Sequence, residues 1–99
     1  MPRALSVARA QVSTANEPEY LTLLAELATR LRSRGQSLWL FRHTEHSDTF
    51  LEFSESAARE QSRAQRDERE RALEARLRVL ASYAADANDL WEEVPLGKH

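Results

Sequence analysis

The chain has no cysteine among its 99 residues. That excludes disulfides, thiolate zinc sites, iron–sulfur ligation and a cysteine nucleophile, and it fits a reducing cytoplasm. Glycine and proline are scarce, at 2 and 3 residues, so little punctuates the chain and no linker or second domain is expected. No internal repeat is present. There is no excess of basic charge: 14 Lys and Arg face 16 Asp and Glu, for a net charge of −2. General affinity for nucleic acid or an anionic membrane needs a basic footprint, so neither partner is expected. No apolar run approaches the roughly 20 residues of a membrane span, and the opening "MPRALSVARAQV" does not read as a signal peptide. All but one of the 14 basic residues are arginine.

What is present is a regular alternation of elements. Leu5–Val12 alternates loosely and is rich in small and branched residues, which predicts a short strand. Asn16 can cap a helix, with Pro18, Glu17 and Glu19 in the first turn. Tyr20, Leu23, Leu24, Leu27 and Leu31 then recur at helical spacing, giving an amphipathic helix over 17–34 that ends at Gly35. Leu38–Glu45 and Thr49–Ser54 read as two strands joined by the turn chemistry of "EHSD", hence an antiparallel hairpin. From Ala57 to about Asp86 nothing breaks a helix. Its first half is almost wholly polar, with Arg63–Asp67, Arg66–Glu70, Asp67–Arg71 and Glu74–Arg78 as opposite charges four apart. Its apolar stripe, Leu73, Leu77, Leu80, Ala84 and Ala87, comes later. A continuous helix of that length would run roughly 45 Å, more than a small sheet spans, so a break or an overhang is expected. Asp89–Leu96 closes the chain as a fourth strand, with Pro95 at its end. Arg59 to Arg78 holds seven arginines and five acids at pairing distances, which reads as a solvated, salt-bridged face and not an anion site.

The order β-α-β-β-α-β folds, with right-handed crossovers, into a four-stranded antiparallel sheet with both helices on one face. This is the ferredoxin-like α+β plan, in one domain over 1–99. Helices cover only one face of such a sheet, yet the hairpin does not alternate cleanly: Leu38, Trp39, Leu40 and Phe41 are consecutive. Both faces of the sheet centre therefore need cover. With an even-numbered turn, Glu45 pairs with Phe50, His43 with Glu52 and Arg42 with Phe53. Leu38, Leu40, Leu51 and Phe53 then meet the helices, while Trp39, Phe41, His43, Phe50 and Glu52 share the other face. An odd-numbered loop would shift one strand and bring Arg42 beside Glu52 instead.

The aromatic-rich hairpin "SLWLFRHTEHSDTFLEFSES", the long second helix and the final "LWEEVPL", in this element order, resemble the dimeric α/β-barrel proteins, and the antibiotic-biosynthesis monooxygenase-like domains in particular. The resemblance spans nearly the whole chain and is one of pattern. It implies a homodimer in which two sheets pack face to face, and a pocket between sheet and helices or inside the barrel. Members of the superfamily include cofactor-independent oxygenases of polycyclic phenols, haem-degrading enzymes and isomerases.

Each chemistry can be weighed on the residues. Haem degradation in this superfamily uses an Asn on the first strand and a His on the second helix, and this chain has neither. Cofactor-free oxygenation needs groups that hold a phenolate. Trp39, Phe41, Phe50, Arg42 and Tyr20 are suited to binding an aromatic small molecule, with His43 and Glu52 as the catalytic pair and no cofactor. The plainer alternative is a non-catalytic dimerisation module in which Trp39, Phe41 and Phe50 are interface core and His43–Glu52 is a cross-strand pair at its edge. His43, Glu45 and His46 fall short of a metal site, because His46 either points away from the other two or sits in the turn, and no further ligand cluster lies near. RNA recognition by this topology wants a basic residue, a Gly and an aromatic where His46, Ser47 and Asp48 stand, and a stacking aromatic on the first strand. It is not expected.

Overall fold

A computed structural model describes residues 3–57 and 66–97. Seven elements follow in order: β1 (Ala4–Val12), α1 (Glu17–Arg32), β2 (Ser37–Arg42), β3 (Thr49–Ser56), α2 (Glu68–Leu80), β4 (Ala81–Tyr83) and β5 (Leu90–Glu92). The sheet is antiparallel, in the order β2-β3-β1-β4, with β5 also on β1. β4 pairs with the C-terminal part of β1 and β5 with its N-terminal part. The expected fourth strand, Asp89–Leu96, is present only as β5, whereas β4 is an additional strand formed by residues expected to be helical. The ferredoxin-like α+β plan holds, with five strands instead of four.

α1 forms where its periodicity places it, burying Tyr20, Leu24, Leu27 and Leu31. Gly35 takes a positive φ of 79° just past its end, a conformation that costs other residues a Cβ clash. Asn16 does not cap the helix with its side chain. Its Nδ2 donates to the Leu80 carbonyl at 3.2 Å, tying the start of α1 to the end of α2.

The second helix departs more from expectation. It starts at Glu68 behind a capping box, in which Asp67 accepts from the Glu70 backbone N–H and the Glu70 side chain accepts from the Asp67 N–H. Asp67 itself is extended, so the expected break in the helix falls at or before this residue. The polar stretch 58–65, with the Arg63–Asp67 pair, lies outside the described residues. The helix also ends early, at Leu80, because Ala81–Tyr83 pairs with β1 as β4. Leu73, Leu77 and Leu80 are buried as their spacing predicts.

The hairpin loop is odd-numbered, but the pairing is shifted by two residues from the one that would bring Arg42 beside Glu52. Arg42 pairs with Phe50, Leu40 with Glu52, Trp39 with Phe53 and Leu38 with Ser54. Side chains alternate faces along a strand, so this reverses one strand's assignment. Phe50 and Glu52 join Leu38 and Leu40 on the helix side. Leu51 and Phe53 join Trp39 and Phe41 on the open side. The reason is on α1: Phe50 packs in the core against Tyr20, ring centroids 5.2 Å apart. The open face also carries Leu5, Val7 and Trp91, the last paired directly with Leu5. On it Trp39, Phe41 and Trp91 are 43%, 56% and 56% exposed.

Candidate functional site

The site arises from small residues on β1. Its helix-facing positions opposite β3 are Ala4, Ser6, Ala8 and Ala10, with the larger Val12 beyond them in the core. Larger side chains there would fill the layer between sheet and helices. Instead a cavity of about 550 Å³ remains, with Ser6 and Ala8 on its floor and Leu27, Leu31, Leu38 and Leu77 as apolar wall. That volume is within the range of small-molecule sites. A further hollow of about 220 Å³ shares Ser6, Ser54 and Arg66 with it and extends to Gln36 and Ser56.

The polar groups are few and converge. Glu52 comes from β3, and its Oε2 accepts two hydrogen bonds, from the Tyr20 hydroxyl at 2.8 Å and the Tyr83 hydroxyl at 2.6 Å. Tyr20 is fully buried behind the carboxylate, whereas Tyr83 lines the cavity from β4. Glu52 Oε1 makes no hydrogen bond to the described residues and is left to whatever fills the cavity. Burial pushes the Glu52 carboxyl above the ordinary carboxylate range; the two hydroxyls pull it back in part, and the charge of Glu74 adds to the rise. Burial and the facing carboxylate push both tyrosines well above the usual phenol range, so they stay protonated as donors. The result is a carboxyl group held from behind, poised to take or give a proton, with one oxygen free.

The residues singled out from the sequence do not form one site. Glu52 and Tyr20 meet as described. Phe50 is on their side of the sheet but belongs to the core. Arg42 stacks over Phe50, 4.6 Å from its ring centroid, and pairs with Glu17 at 2.7 Å. Trp39 and Phe41 are across the sheet, on the open face. His43 is not a partner of Glu52. It lies in the exposed loop after β2, where its Nδ1 accepts from the backbone N–H groups of Glu45 and His46. The face shared by His43 and Glu52 in the even register is undone by the odd one. Among the described residues no three His, Asp or Glu side chains gather to hold a metal ion.

Tyr83 and the β1 alanines are the parts that sequence reasoning missed. Tyr83 falls inside an unbroken helix pattern and off its apolar stripe, so nothing local marks it. The one available signal is compositional: the chain has 2 tyrosines, and both bind the same carboxylate oxygen.

No protein-family model and no curated protein sequence matches this chain. Solved structures do. A conserved protein of unassigned function from Bacteroides thetaiotaomicron, suggested to be an oxidoreductase, superposes with a TM-score of 0.76 at 14% identity, covering 93% of this chain and 96% of that one. A candidate antibiotic-biosynthesis monooxygenase from Chloroflexus aurantiacus gives 0.71 at 18% identity, over 100% and 97% of the two chains. SnoaB, a cofactor-independent oxygenase from Streptomyces nogalater, gives 0.72 at 15% identity, over 99% and 97%. In fold, this chain is therefore similar to the antibiotic-biosynthesis monooxygenase-like structures, an α+β ferredoxin-like layer of two helices on an antiparallel sheet.

Proposed function

We propose that the protein binds a hydroxylated aromatic molecule between its sheet and its helices, in the manner of a cofactor-independent monooxygenase, and works as a homodimer joined through the open sheet face. The observation that carries this is Glu52: a carboxyl with a raised pKa, anchored on one oxygen by two tyrosine hydroxyls, presents its other oxygen to a cavity of about 550 Å³. A phenolic guest placed there donates its hydroxyl proton to Oε1. The electron-rich phenolate that results is the species from which oxygen can accept electrons with no metal or flavin. Leu27, Leu31, Leu38 and Leu77 supply the apolar contact that an aromatic ring needs. The likeness to SnoaB supports this choice of chemistry. Proton transfer is assigned here to Glu52 and not to His43, which is exposed and on a different element.

The test is calorimetric titration of hydroxylated polycyclic aromatics into wild type and Glu52→Gln, followed by oxygen uptake with any ligand that binds. Micromolar binding that weakens in Glu52→Gln is expected. No binding to wild type, or binding indifferent to Glu52, sinks the assignment.

A second reading, a non-catalytic assembly module, is favoured by Trp39, Phe41 and Trp91, large side chains about half exposed on one face. It predicts a dimer with an empty cavity and no ligand in the same titration.

A further inference from the structure

The cavity's charges are not all paired with one another. Its ionisable lining among the described residues is Glu52, Arg66, Glu74, Arg78 and Tyr83. Glu74 and Arg78 are four apart on α2, the spacing at which a helix pairs opposite charges, but they do not pair. Glu74 Oε2 instead takes the Arg66 Nε at 3.2 Å. Arg66 is further engaged by Gln36, 3.4 Å from its guanidinium. This leaves Arg78 with no ion pair or hydrogen bond among the described residues, although it stands on the last turn of α2 at the cavity. Its positive charge is felt at the Tyr83 hydroxyl, where it opposes the rise caused by burial. So one guanidinium lining the cavity is consumed by a neighbouring acid and the other is not. The remaining acid, Glu52, is held by the Tyr20 and Tyr83 hydroxyls and not by Arg78.

We propose that Arg78 selects the ligand: the cavity takes an aromatic hydroxy-acid, its hydroxyl against Glu52 and its carboxylate, or another singly anionic group, against the Arg78 guanidinium. This rests on the cavity reading above and adds a charge requirement to it. A guanidinium facing a carboxylate forms charge-assisted bonds that a neutral phenol cannot make. The leucine walls of the same cavity suit the rings. Arg78 touches the ligand and takes no part in proton transfer.

The experiment compares two probes of the same ring system, a hydroxynaphthoate and the matching naphthol, by titration into wild type, Arg78→Gln, Arg78→Lys and Glu52→Gln. In wild type the hydroxynaphthoate binds tighter by about 10-fold or more. Arg78→Gln brings the two within about twofold, and Arg78→Lys keeps part of the preference. Glu52→Gln weakens both probes and leaves the preference in place. Equal affinity of the two probes for wild type overturns the role of Arg78 while leaving the cavity reading intact. A preference that survives Arg78→Gln does the same. Absence of binding by either probe removes both. A cation at the end of a helix can also serve only the helix dipole. In that case Arg78→Gln lowers the melting temperature without moving the preference, and the proposal falls. Arg78 is exposed, so its variants should fold, as a circular dichroism melt would verify.

Discussion

The two faces of the sheet are built on opposite plans. Toward the helices, β1 presents Ala4, Ser6, Ala8 and Ala10, and β3 presents Phe50, Glu52 and Ser54. Small residues surround one buried carboxyl, and a hollow remains. Toward solvent the same strands present Leu5, Val7, Leu51 and Phe53, joined by Trp39, Phe41 and Trp91 from the flanking strands. Here large apolar groups cluster, with the Trp39 and Phe53 rings 5.7 Å apart and Arg9 and Glu55 on the same face. A hollow holds a small guest, whereas a broad apolar surface suits another protein surface. The aromatic residues and the candidate site are therefore not rivals for one location. The proposed assembly and the proposed ligand binding can be damaged separately.

That separation can be tested from its largest consequence downward. Trp39→Lys with Phe41→Lys puts two charges on the open face and should weaken dimer association by about 100-fold or more. Sedimentation read over a range of concentrations should find monomers while ligand binding in the cavity survives. A wild type that is already monomeric at micromolar concentration would break the comparison outright. Conversely, Ala8→Leu grows a side chain into the cavity floor. It should abolish ligand binding, with the proposed dimer intact; retained binding would show that the guest sits elsewhere. Asp67→Ala removes the capping box of α2 and should cost about 1 kcal/mol in chemical denaturation, without changing either face.

Glu52→Gln should act through pH. The folded pKa of Glu52 is raised, so its protonated form favours folding. That contribution is full below the ordinary carboxylate pKa and is lost as pH rises through the folded value. The wild type should lose stability across that window relative to Glu52→Gln, and parallel stability curves would count against a buried, ionising Glu52. The smallest change should be Arg76→Ala, which breaks a two-bond pair with Glu19 between the helices. Both side chains are about half exposed, so the loss should stay below about 1 kcal/mol and shrink further with salt.

How much was legible follows the range of the interactions. α1 was readable because Tyr20, Leu24, Leu27 and Leu31 recur with the helical period. β3 was readable from its composition. The register was not. Leu38, Trp39, Leu40 and Phe41 are apolar on both alternations, so either phase offers a hydrophobic face, and a loop one residue longer or shorter reverses the outcome. Of the candidate site, Glu52 and Tyr20 were visible as residues, but their meeting was not. The helix pairs show the same limit. Arg66, Asp67, Glu70 and Glu74 each have an opposite charge four residues away, yet the contacts formed are Arg66–Glu74, Arg30–Asp67 and Arg34–Glu70. Two of these three join α2 to α1 or the residues just after it, and those links depend on where the helices pack.

The sequence by itself determined the two-layer ferredoxin-like plan and the order of its elements up to the second helix. Those follow from periodicity and composition, which act within a few residues. Tertiary structure alone decided the rest. It ended α2 at Leu80 so that Tyr83 could pair as a strand. It chose the hairpin phase that turns Phe50 onto Tyr20. Through those two choices it gathered two tyrosines, separated by most of the chain, onto a single oxygen of Glu52. A buried carboxyl is tolerated only where donors meet it, and donors from distant elements are brought together by packing, not by any local pattern.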